Sequence, residues 1–72
     1  MTGKDIRLIR SQLLLLQEEL AKELKVSICT IRLWEQGKMG MSLRRQKEVF
    51  SYCKAKGLMD FCRENNIKVE LI

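Results

Sequence analysis

The sequence predicts an all-α fold of four to five helices containing a helix-turn-helix. Three observations predict it. Apolar residues recur at three- and four-residue spacings over most of the chain. The 72 residues include no proline and only four glycines, so few positions break a helix. Thr2, Ser27 and Ser42 each stand just ahead of such a pattern, where a hydroxyl can accept a hydrogen bond from the first free amides. A chain this short supports one modest core, burying about 60% of its unfolded surface. Its 46% apolar content is ordinary for a globular domain. The expected organisation is a single domain over residues 1–66 and a tail at 67–72.

The elements follow in order. A first helix is expected over 5–16, with Ile6, Ile9, Leu13 and Leu16 on one stripe, Arg7 and Arg10 between them, and Thr2 as its cap. A second is expected over 17–24, with Glu18 and Glu19 in the first turn, where the helix dipole favours negative charge. Ser27 opens a third helix carrying Ile31 and Trp34, and Gly37 closes it in the left-handed conformation. Ser42 opens a fourth, with Leu43, Val49, Phe50 and Cys53 inward and Arg44, Arg45, Lys47 and Lys54 outward, ending at Gly57. A fifth segment, 58–66, carries Phe61 and Cys62 and stops at the paired asparagines. Residues 67–71 alternate apolar and polar, the two-residue period of a strand.

Composition excludes several functions. No run of 18 apolar residues exists, and the opening Met1-Thr2-Gly3-Lys4 is not a signal peptide, so a cytoplasmic protein is expected. Fourteen basic against nine acidic residues give a net charge of +5, which suits a polyanionic partner and equally an ordinary solvated surface. Cys29, Cys53 and Cys62 lack metal-ligand spacing and there is no histidine, so no metal or cofactor is expected, and two of the thiols read as small core residues. Without histidine or a phosphate-cradling glycine loop, the chain does not read as an enzyme.

The informative stretch is 17–36. A helix-turn-helix needs apolar residues at the fourth, eighth, tenth, fifteenth and eighteenth positions of a twenty-residue unit, because two helices cross steeply around a tight turn. Here they are Leu20, Leu24, Val26, Ile31 and Trp34. The fifth position must be small, and it is Ala21, one of only two alanines in the chain.

With Gln17-Glu18-Glu19-Leu20-Ala21, Val26-Ser27, Trp34-Glu35-Gln36-Gly37-Lys38 and Arg10 in place, residues 6–49 resemble the Cro and phage-repressor helix-turn-helix family. The resemblance implies a four- or five-helix fold that binds double-stranded operator DNA, often as a dimer. It implies that Arg10 pairs with Glu35, and that Gln17, Lys38 and Arg44 contact phosphates. It also implies that the third helix enters the major groove, with Ser27, Ile28, Cys29, Arg32 and Leu33 at base-reading positions. Three residues depart from the family pattern. Leu16 stands where a hydroxyl or amide cap is usual, and Leu14 and Lys25 stand where glycine is frequent, so a left-handed Lys25 would cost roughly 1 kcal/mol.

Periodicity gives the same faces without the family. With Ile31 and Trp34 inward, Ile28, Cys29, Arg32, Leu33 and Gln36 point outward. Thymine methyl groups suit the aliphatic residues and guanine suits Arg32. The alternative is a protein-interaction module in which Ile28, Cys29 and Leu33 dock a partner. A lone strand at 67–71 is an unpaired edge, which implies either pairing with a second copy, giving a homodimer on a palindromic operator, or a frayed terminus.

Overall fold

The computed structural model describes residues 1–70. Five helices form: α1 (Gly3–Gln12), α2 (Gln17–Leu24), α3 (Ile28–Glu35), α4 (Leu43–Ala55) and α5 (Met59–Glu64), with no strand among the described residues. The chain falls into two compact units. Thr2–Gly40 holds α1 to α3, and the residues from Met41 on, together with Met1, hold α4 and α5. No described helix is long and apolar enough to cross a membrane.

Hydroxyl caps set the starts. Thr2 Oγ1 accepts from the Asp5 amide at 3.3 Å while the Asp5 carboxylate accepts from the Thr2 amide at 2.9 Å, a reciprocal capping box. Ser27 Oγ accepts from Thr30 N at 3.1 Å and Ser42 Oγ from Arg45 N at 3.2 Å. Leu16 precedes α2 with no side-chain oxygen, and the Glu19 carboxylate supplies half a cap by accepting from Leu16 N at 2.8 Å.

All five helices end in one way. A left-handed residue (Leu14, Lys25, Gly37, Gly57 and Asn66 in turn, φ between 55° and 73°) lets the next amide reach back five residues: Leu15 to Arg10, Val26 to Ala21, Lys38 to Leu33, Leu58 to Cys53 and Ile67 to Cys62. This closure corrects the expected span of α1. The helix stops at Gln12, not at residue 16, because Leu14 turns left-handed (φ 56°), and Leu14 and Leu16 then stand 90% and 60% exposed.

In Thr2–Gly40 the core is Ile6, Ile9, Leu20, Ala21, Ile31 and Trp34, with α3 packed on both α1 and α2. Leu24 and Val26 are half-buried rather than central. Gly3 owes its place to close approach, since a Cβ there would fall on the Trp34 carbonyl of α3. Backbone cannot yield as a flexible side chain can. Gly3→Ala is therefore expected to lower stability by about 1–3 kcal/mol despite alanine's better helix propensity. An unchanged or raised melting temperature would show that α1 does not approach α3 there.

The second unit buries Met1, Met41, Val49, Cys53, Leu58, Cys62 and Ile67 around one polar side chain, Gln46. The Gln46 amide donates to the Met41 carbonyl at 3.1 Å. Its oxygen accepts from the Glu70 amide at 2.8 Å and from the Met1 amino group at 3.1 Å. Cys53 and Cys62 pack as the expected small core residues, and burial, then the neighbouring Cys62 thiol, pushes the Cys53 thiol up to about 12. The expected strand is corrected over 67–70. Ile67 is buried with its amide bonded to Cys62, and Glu70 is tied to Gln46, so these backbone groups are met within the chain rather than along an edge. Leu71 and Ile72, also in the expected tail, lie outside the described residues.

Candidate nucleic-acid interface

Helices α2 and α3 are joined by only residues 25–27 and pack on one another, and Ala21 of α2 is buried at 4% exposure. The turn depends on Lys25 at φ 58°, ψ 42°, a conformation that places a Cβ too near its own carbonyl. Lys25→Gly is expected to stabilise the fold by about 1 kcal/mol, raising Tm by roughly 4–8 °C. A fall in Tm would show that the lysine side chain itself supports the turn.

One buried carboxylate ties the three helices together. The Glu35 side chain is 2% exposed. Arg10 grips it with two hydrogen bonds, Nε to Oε2 at 2.8 Å and Nη2 to Oε1 at 3.0 Å, so the expected pair forms as a bidentate fork. Gln17 Nε2 donates to Oε1 at 3.2 Å, and Arg7 Nε lies 3.7 Å away. Burial pushes the Glu35 carboxyl up, but hydrogen bonds from Arg10 and Gln17 and the charges of Arg10 and Arg7 outweigh it and hold it below its ordinary 4.5. The hydrogen bond to Glu35 in turn raises the Arg10 guanidinium. Arg10 also donates Nη1 to the Leu15 carbonyl at 3.2 Å, bracing the loop that leads into α2.

The outer face of α3 is cationic and apolar. Between residues 25 and 40 the only carboxylate is Glu35, which faces inward. Lys25, Arg32 and Lys38 are exposed, and none of them forms an ion pair among the described residues. Cys29, Leu33 and Gln36 are exposed with them. Two expected base readers are partly committed elsewhere. Ile28 is half-buried, a correction explained by its spacing: three residues before Ile31 and seven before Glu35, it lies at the edge of the inner stripe. Ser27 is exposed, but its hydroxyl caps α3 and meets the Thr30 hydroxyl at 3.0 Å. Gln17, an expected phosphate contact, opens α2 with its amide on Glu35. Arg44, another, lies on the exposed face of α4 in the second unit, in an open depression with Leu43 and Lys47.

Two contributions escaped the sequence reading. Arg7 reaches the same carboxylate as Arg10, and their three-residue spacing on one helix was the available signal. Lys25, in the turn that leads to α3, is exposed and has no ion pair among the described residues, which composition does not show. Compared with protein-family models, curated proteins and solved structures, the chain matches none.

Proposed function

We propose that this protein is a non-catalytic, sequence-specific binder of double-stranded DNA, acting in the cytoplasm as a transcriptional regulator, most simply a repressor. The observation that carries the reading is the surface of residues 25–38. Lys25 and Lys38 flank a short helix whose outer face carries Arg32, none of the three has an ion pair among the described residues, and no carboxylate of that helix faces outward. A phosphodiester duplex is the partner whose charge complements it, and a helix joined to its neighbour by a three-residue turn has the shape to enter a major groove. Lys38 and Arg44 serve as phosphate contacts, as does the amino end of α2 at Gln17, while Cys29, Arg32 and Leu33 face the base edges with Ser27 and Ile28 at their margin. The reading extends to a homodimer on a palindromic operator, its half-sites about one helical turn apart.

Fluorescence anisotropy against duplexes selected from a random pool tests this. Arg32→Ala is expected to cost about 1–3 kcal/mol at one base pair and to relax preference there. Lys38→Ala should weaken all sequences alike and reduce the salt slope by about 1. Exposed Leu14, Leu16 and Leu33 favour a second reading, an interaction module that docks a partner protein. Such apolar association would persist as salt rises, whereas duplex binding should weaken steeply.

A further inference from the structure

We infer that Cys29 and Leu33 read the 5-methyl groups of thymine, so that the preferred duplex carries thymine at two nearby major-groove positions beside the base pair met by Arg32. This inference rests on the DNA-binding reading and deepens it. Cys29 and Leu33 are four residues apart on α3, so they stand on one exposed stripe with Cβ atoms about 5–6 Å apart, within reach of neighbouring base pairs.

The hydrogen-bonding capacity of this face is small. The Ser27 and Thr30 hydroxyls are engaged with each other and with the Thr30 amide, and Gln36 lies at the far, carboxyl end of the helix. Arg32 is exposed near the middle with no ion pair among the described residues, and its guanidinium suits guanine N7 and O6. Cytosine offers an amino donor, for which a carboxylate is the usual acceptor, and none faces outward here. The one apolar feature of the major groove is the thymine methyl. An exposed leucine, with no hydrogen-bonding group, and an exposed thiol, whose hydrogen bonds are weak, fit that group better than the polar base edges.

The test uses the full chain and a duplex selected from a random pool at low salt, with each thymine replaced in turn by uracil, which removes only the methyl. Wild-type protein is expected to lose about fourfold in affinity at two positions, the worth of one buried methyl each. Leu33→Ser should abolish the sensitivity at one position and Cys29→Ser at the other, with helicity by circular dichroism unchanged because both side chains are exposed. A selected duplex bound equally with thymine or uracil throughout would overturn the methyl readout while leaving DNA binding intact. Failure of any duplex to be selected would overturn both together.

Discussion

Trp34→Ala is expected to unfold the helices of Thr2–Gly40 or leave them barely stable at 25 °C. The indole is 3% exposed on α3, the helix that packs against both α1 and α2. Truncating a buried tryptophan removes its transfer free energy and leaves a cavity that the surroundings only partly fill, together about 3–5 kcal/mol. At roughly 0.05–0.15 kcal/mol per residue, that is a large part of the total for a domain of this size. Thermal melting followed by far-ultraviolet circular dichroism checks it, with Trp34→Phe as the control that keeps an aromatic ring and most of the packing. An alanine variant with unchanged Tm would show that Trp34 is not a core residue.

What the sequence disclosed divides along physical lines. Thr2, Ser27 and Ser42 were legible as caps because a hydroxyl ahead of an apolar stripe has one favourable use, and all three accept the expected amide. Ile31 and Trp34 were legible from spacing, and so was most of the outer face of α3. The end of α1 was not. Leu13 to Leu16 continue the apolar pattern, and nothing in a leucine side chain announces the left-handed backbone that Leu14 adopts. Gly37 and Gly57 take that conformation at no steric cost and could be read directly; Leu14 and Lys25 take it against their Cβ atoms, held by the bonds from Leu15 to Arg10 and from Val26 to Ala21. Gln46 was unreadable for another reason. An amide on a lysine- and arginine-rich helix resembles surface, and its burial follows only from partners at Met1, Met41 and Glu70, distant in sequence or outside the helix. The same partners explain why residues 67–70 alternate in polarity without forming a ladder: Ile67 turns inward and Lys68 outward along a segment packed on its own unit.

Arg10→Ala should cost about 3–5 kcal/mol, far more than a surface charge of ordinary kind, because the burden falls on the partner left behind. Glu35 would keep one hydrogen bond, from Gln17 at 3.2 Å, and a looser approach by Arg7 at 3.7 Å, with its carboxylate still out of water. The Leu15 carbonyl would lose its guanidinium donor in the same step. A hydrophobic pair of similar volume leaves no such orphan, so Arg10→Met with Glu35→Leu is expected to be markedly more stable than Arg10→Ala. The two sites are thus strongly non-additive, which a double-mutant cycle measures. Acid gives an independent check. The folded Glu35 carboxyl sits below its ordinary 4.5, so the stability it contributes is fully present above that value and is lost as pH falls through the lower, folded value. Glu35→Gln should therefore flatten the acid limb of the stability curve below about pH 4.5 relative to wild type. If Arg10→Ala and the apolar pair were equally stable, and the acid limb were unchanged by Glu35→Gln, the carboxylate would be a bystander and α1 would be held to α3 by Ile6, Ile9 and Gly3 alone.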